Sequence, residues 1–143
     1  ASGPRAALDA LRAKLATLDV EAQPIRINIA AHSRMLEPIL GRFGDFLRKT
    51  KLSAPRIPII SNRTGDVLTA DRARSPEYWV EHLRNTVHFG AGIGKLLETK
   101  GRVFLEVGPG RALTALARLH PNVAPGQAFI GSLPHPDYDT PDD

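Results

Sequence analysis

"RVFLEVGPGRALTALARL", residues 102–119, decides the architecture. Val103 to Val107 is a short, mostly apolar run, too brief for a helix and carrying the branched and aromatic residues that fit a pleated sheet, so it reads as a strand. Gly108-Pro109-Gly110 turns the chain, and Leu113, Leu116 and Leu119 recur at a spacing that predicts a helix. A strand feeding a helix through a tight turn belongs to mixed proteins, and a turn at the C-terminal end of such a strand can line a site.

Working outward, Ile93, Leu96 and Leu97 predict a helix that Gly101 can end. Ser75-Pro76-Glu77 is a helix start, with a capping hydroxyl, proline where its missing N–H does no harm and an acid in the first turn; Tyr78 to Arg84 continues it. "RIPIISN" predicts a short strand from Arg56 to Ser61, and Thr64-Gly65-Asp66 a turn before Val67 and Leu68. Met35, Leu36, Ile39, Leu40, Phe43, Phe46 and Leu47 form a helical stripe that ends at Arg48, Lys49 and Lys51, where cations suit a helix C-terminus. Ile25 to Ile29 alternates apolar and polar residues as a strand with one buried face does, and Leu8, Leu11, Leu15 and Leu18 predict a helix from about Arg5. The proline- and aspartate-rich end, "PHPDYDTPDD", reads as a solvated linker. The order helix, strand, helix, strand, then three helices around one central strand is α/β or α+β, with too few strands for a complete doubly wound sheet. The chain, which begins Ala-Ser-Gly-Pro, is therefore expected to be a piece of an incomplete domain.

With 143 residues, 42% of them hydrophobic and 24% charged, the composition is that of a globular domain, and no apolar run reaches the roughly 18 residues of a membrane span. The absence of cysteine excludes disulfides, thiolate catalysis and cysteine-ligated zinc, and fits a cytoplasmic setting. The net charge of +4 is concentrated at the start: residues 1–56 hold ten Lys/Arg against five Asp/Glu, the remainder nine against ten. Such a surface suits an acidic protein, anionic lipid or nucleic acid. No aromatic pair on the Ile25–Ile29 stretch offers a base-stacking platform, so neither nucleic acid nor membrane is the expected partner.

His32, in "AAHSRMLEPIL" (residues 30–40), has two readings from the residues alone: a histidine that caps or satisfies a core hydrogen bond, or a catalytic base at the end of a strand. Ser33 beside it is not its nucleophile, because strand neighbours point to opposite faces and Ala31 and Met35 stand where a nucleophile elbow needs glycine; it reads as a helix cap. Ser132, with Pro134 at the second flanking position, is a loop serine. Gly108 to Gly110 shares half of a dinucleotide-binding fingerprint, but its third glycine position is Leu113. His82 and His88 lie six apart and no carboxylate–histidine spacing recurs, so no metal is expected.

Taken together, "SGP" (residues 2–4), "AAHSRMLEPIL", "IPIISNRTG", "YWVEHLRNTVHF" and "RVFLEVGPGRALTAL" resemble, in order and spacing, the C-terminal half of the acyltransferase domain of modular polyketide synthases and its malonyl-CoA:acyl carrier protein transacylase relatives. The resemblance runs from residue 1 to about 120. It implies a ferredoxin-like small subdomain over residues 1–55, the C-terminal part of an α/β-hydrolase-like large subdomain over 56–120, and a linker over 121–143. It implies transfer of a (methyl)malonyl-type acyl group from CoA to the phosphopantetheine thiol of an acyl carrier protein through an acyl-serine, with no bound cofactor. His32 matches the family's general base, and His82 the position whose backbone carbonyl orients it; the serine elbow and the carboxylate-binding arginine belong upstream of Ala1. Ile29, Ala30 and Ala31, with the Gly108-Pro109-Gly110 turn, are expected to line the substrate. The tetrapeptide Ile29-Ala30-Ala31-His32 matches neither the malonyl pattern His-Ala-Phe-His nor the methylmalonyl pattern Tyr-Ala-Ser-His, and Ala31 in place of a phenylalanine leaves room for an α-substituent. Arg26, Arg42, Arg48, Lys49 and Lys51 are expected to steer the acidic carrier. The other reading is a non-catalytic ferredoxin-like docking module, for the carrier or, second to it, for nucleic acid.

Overall fold

The computed structural model describes residues 1–24 and 29–134. They form two compact units: Ala1–Ile59 with Leu68–Val87, and Ile60–Val67 with the segment from His88 on.

The first unit is helical among the described residues. Helix α1 spans Arg5–Ala16, a 3-10 turn spans Arg34–Leu36, and α2 (Glu37–Arg48), α3 (Ala70–Arg74) and α4 (Pro76–Arg84) follow. The hydroxyls of Ser33, Thr69 and Ser75 each accept a backbone N–H at the start of the 3-10 turn, α3 and α4. Ser33 and Ser75 are thus the caps the sequence predicts. α2 packs on α4, with Gly44 facing the Val80 side chain. Leu36 and Leu47 are buried, as are Leu68, Ala73 and Tyr78 with Trp79 against them. Because α4 packs on α2 and α3 on α4, this unit takes in residues 68–87 as well as the first 59. Met35, Ile39 and Phe46 of the predicted stripe are exposed, and α1 buries none of its leucines.

The Ile25–Ile29 strand, and with it Arg26, lies outside the described residues except for Ile29, which is in a bend.

The second unit is built around a β–α–β element. β1 (Phe104–Glu106) and β2 (Phe129–Gly131) pair in parallel, Phe104 opposite Phe129 and Glu106 opposite Gly131, and α6 (Ala112–Arg118) makes the crossover. Parallel neighbours require such a crossover. Ile93 of α5 (Phe89–Leu97), Ala117 and Phe129 form the core, with Phe89, Leu97, Phe104 and Val123 packed against it.

Two expectations are corrected here, and the covered face of α6 is defined. The Arg56–Ser61 stretch is not a strand but a single antiparallel bridge, Ile60 to Val67, because Pro55 and Pro58 supply no N–H for a ladder. Residues 121–143 do not begin as a linker: β2 lies among them, held by the stacking of Phe129 on Phe104 at 4.8 Å. In α6 the buried residues are Thr114 and Ala117, while Leu113, Leu116 and Leu119 are exposed; the small Ala117 lets the helix lie close on the two strands.

Gly65 shows how tight the second unit is. Its φ is +73°, and an added Cβ would stand 2.5 Å from Ala91 Cβ. Gly65→Ala combines left-handed strain of about 1–2 kcal/mol with an overpacking cost of about 1–3 kcal/mol. It is expected to lower the urea midpoint of the second unit, whereas Gly101→Ala, at φ +74° with open space around it, carries only the strain.

Candidate active site

His32 lies in a turn, not at the end of a strand, and its φ is +58°, the left-handed region that a residue with a Cβ seldom occupies. The chain has to reverse here to enter the 3-10 turn. Four hydrogen bonds hold the strain: Ser2 Oγ donates to Ala31 O at 2.9 Å, His32 N to Leu83 O at 3.3 Å, Ser33 Oγ to Ala30 O at 2.7 Å, and Met35 N to Ser33 Oγ at 3.2 Å. Strain of this kind persists only where its surroundings over-determine it, and it gathers at functional sites. Ser33 is thus engaged as both donor and acceptor, as a capping hydroxyl is.

The imidazole is half-buried, with Nδ1 2.8 Å from the backbone carbonyl oxygen of Asn85. A carbonyl only accepts, so the proton is assigned to Nδ1, and Nε2 keeps the lone pair that a general base needs. Asn85 caps the C-terminus of α4 in an extended conformation, φ −93° and ψ 167°, which turns its carbonyl out of the helix. Its own Nδ2 donates to Glu81 O at 2.8 Å and fixes that geometry. The negative end of the α4 dipole also favours the imidazolium that forms when Nε2 takes up a proton.

The orienting carbonyl is therefore that of Asn85, not of His82. His82 sits inside α4, where carbonyls run along the helix axis toward the next turn. What His82 brings to the site is its ring, edge-on to His32 with centroids 6.0 Å apart. Partial burial, and then the charge of His32, hold the His82 imidazole below the ordinary histidine range.

Of the other expected residues in this unit, Ala30 and Ala31 are half-buried beside His32 and Ile29 is exposed. Arg42, Lys49 and Lys51 are exposed. Arg48 is held by Asp45 at 2.8 Å and Glu77 at 3.3 Å, which raises its pKa and ties α2 to α4.

In the second unit Gly108 and Gly110 both have positive φ, 145° and 93°. Gly108 N donates to Ser132 Oγ at 3.0 Å and Gly110 N to Pro134 O at 3.3 Å, so Ser132, a loop serine as its neighbours imply, braces the turn. The Glu106 carboxylate accepts from Leu113 N, Thr114 N and Thr114 Oγ1 at 2.9–3.1 Å, which holds it below the usual carboxylate range and closes the start of α6. Among the described residues no three His, Asp or Glu side chains gather as metal ligands, and no helix is long and apolar enough to cross a membrane.

Sequence reasoning does not single out Asn85, Ser2 or Glu106 as functional or bracing residues. An asparagine directly after a helix is a C-terminal stop signal, and that is the available clue for Asn85.

The family model described as "Acyl transferase domain" matches residues 1–126. One of the subunits of the phenolphthiocerol/phthiocerol polyketide synthase of Mycobacterium tuberculosis (strain CDC 1551 / Oshkosh) is 30% identical over 141 residues, 99% of this chain and 10% of that protein. The spectinabilin polyketide synthase system protein NorB of Streptomyces orinoci is 40% identical over 94 residues, 66% of this chain and 4% of that protein. Among solved structures, the acyl transferase domain of SpnD, complexed with 2-(pent-4-yn-1-yl)malonyl, superposes with a TM-score of 0.88 at 38% identity, covering 96% of this chain and 34% of that one. The protein MCAT of Streptococcus pneumoniae, at 20% identity and a TM-score of 0.73, shares the fold over 90% of this chain and 41% of its own. The chain thus spans 10% of the first of these relatives and 34% of the SpnD domain. With most of its length matched, the chain belongs to the acyl transferase domain family, and its relatives are the acyltransferase domains of polyketide synthases.

Proposed function

We propose that this chain is the C-terminal portion of a polyketide synthase acyltransferase, with His32 as the general base for transfer of a malonyl-type acyl group from CoA to a carrier's phosphopantetheine thiol. One observation carries the reading: the Asn85 carbonyl accepts a hydrogen bond from Nδ1–H, which leaves Nε2 with the lone pair to accept a proton. None of the six serines here sits in a Gly-x-Ser-x-Gly elbow, so the nucleophile and the arginine for the substrate's free carboxylate are assigned to other polypeptide.

In the first half-reaction Nε2 takes the serine proton as its oxygen attacks the thioester carbonyl. The carbon–sulfur bond breaks and the imidazolium returns that proton to the CoA thiolate. In the second, Nε2 takes the carrier thiol's proton, sulfur attacks the acyl-serine ester, and the proton goes back to the serine oxygen. The Asn85 carbonyl and the end of α4 stabilise the imidazolium in both, the part an aspartate plays in a Ser-His-Asp triad.

Ala30 and Ala31 next to the base present methyl groups only, which favours methylmalonyl or a bulkier extender over malonyl; one methyl in such a pocket is worth about 1–3 kcal/mol. The substituted malonyl bound to the SpnD domain supports this. Arg42, Lys49 and Lys51 provide the cations for an acidic carrier. The test mixes this chain with a polypeptide bearing the serine elbow, radiolabelled methylmalonyl-CoA and a pantetheinylated carrier. Label on the carrier, faster than from malonyl-CoA, is the expected result; a folded mixture that binds carrier without labelling it supports the docking module instead.

A further inference from the structure

Resting on His32 as base, we infer that the His82 imidazole is a positioning residue, a ring wall that keeps the His32 ring turned onto the Asn85 carbonyl. The His82 ring stands at 85° to that of His32 with centroids 6.0 Å apart, within the roughly 4.5–7 Å span of favourable edge-to-face pairs. It is itself backed on two sides, by Trp79 at 6.0 Å and 63° and by Tyr78 at 6.3 Å and 34°. That backing is anchored, because Tyr78 is buried in the first unit's core and Trp79 Nε1 donates to Ala73 O at 3.0 Å. A rigid path thus runs from the helical core through Trp79 and His82 to the base. The need for it follows from His32 itself: a side chain on a turn residue has no regular neighbours to fix its ring, and one hydrogen bond leaves rotation about that bond open.

A histidine in this wall has a further consequence. Two imidazoles this close oppose each other's charge, so the wall works as a neutral ring. Burial first and His32 second lower its pKa, which favours the neutral ring. Charged groups on the elements packed against α4 are chiefly tied to one another, as Glu37 to Arg84 at 2.9 Å, Arg48 to Asp45 and Glu77, and Arg74 to Asp71 at 3.6 Å; Arg34, Arg42 and Arg72 are further cations there. Glu81 is the other acid of α4. His32 is the charge the ring contact places beside His82.

The test is nitrogen-15 NMR of the histidine rings in the full chain. In the wild type at neutral pH the two ring nitrogens of His32 should be widely separated, the mark of one tautomer protonated at Nδ1. His82→Ala is expected to collapse that separation as the ring begins to exchange, and His82→Phe, which restores a flat ring, to recover it. His82→Gln provides the ringless comparison should the alanine variant lose amide dispersion. His32→Gln is expected to move the His82 midpoint upward, which a packing role alone would not do. The inference is overturned if His82→Ala or His82→Gln leaves the His32 pair separated, if His82→Phe fails to restore it, or if His32→Gln leaves the His82 midpoint unmoved. An unchanged tautomer together with lost acyl transfer in His32→Ala would remove the wall and leave the base in place.

Discussion

His32→Ala lowers acyl transfer by the assembled acyltransferase about 10²–10⁴-fold, the range that general base catalysis supplies. With His32 as the proposed base, the loss is expected on the chemical step, because a methyl group cannot take the serine proton or return it to the thiolate, while Ala30 and Ala31 are unchanged. KM for the acyl-CoA should therefore stay near the wild-type value as kcat falls. The fold should survive: alanine keeps the same left-handed backbone and forfeits one hydrogen bond to Asn85 O, worth about 0.5–1.5 kcal/mol. Circular dichroism and a urea midpoint check this. A variant that keeps its fold and more than a tenth of its rate would remove His32 from the mechanism.

Phe129→Ala destabilises the second unit by about 3–5 kcal/mol, the usual cost of emptying a buried aromatic site. Phe129 is 7% exposed and stacks on Phe104, with the Arg118 guanidinium 5.8 Å above its ring. Arg118 also donates to Phe129 O at 2.8 Å, so the ring, the strand and α6 meet at this residue. Collapse into the space is limited, because Ile93 and Ala117 are held by two helices. Phe46→Ala is the control: the same change at a residue 65% exposed on α2 should cost less than about 0.5 kcal/mol. The comparison is read from the midpoint shifts of the two variants in urea; equal shifts would contradict the core described here.

Five of the six helices are legible: α1, α2, α5 and α6 by their apolar spacing, and α4 by its start at Ser75-Pro76-Glu77, where cap and first turn lie where the residues place them, whereas α3, five residues long, carries no apolar repeat to announce it. β1 is legible for its run of apolar residues ended by Gly108. β2 is not: Phe129-Ile130-Gly131 is three residues long and is a strand because Phe104 waits for it across the pair, a contact no local pattern encodes. The stripes of α2 and α6 name the apolar residues without saying which of them is covered, and Ala117, a buried residue of α6, is one that a search for large side chains passes over. At the site, the residues around His32 carry the resemblance, but its partner carbonyl cannot be read. A backbone oxygen has no letter in the sequence, and only the extended C-cap at Asn85 shows which carbonyl leaves the helix.

The most direct measurement is mass spectrometric mapping of the acyl group after methylmalonyl-CoA is added to this chain and its elbow-bearing partner polypeptide. The account predicts an adduct on the partner's serine, none on Ser33 or Ser132, and its disappearance when His32 is replaced by glutamine. An acyl group on a serine of this chain, or an adduct that forms at an undiminished rate without the imidazole, would contradict it.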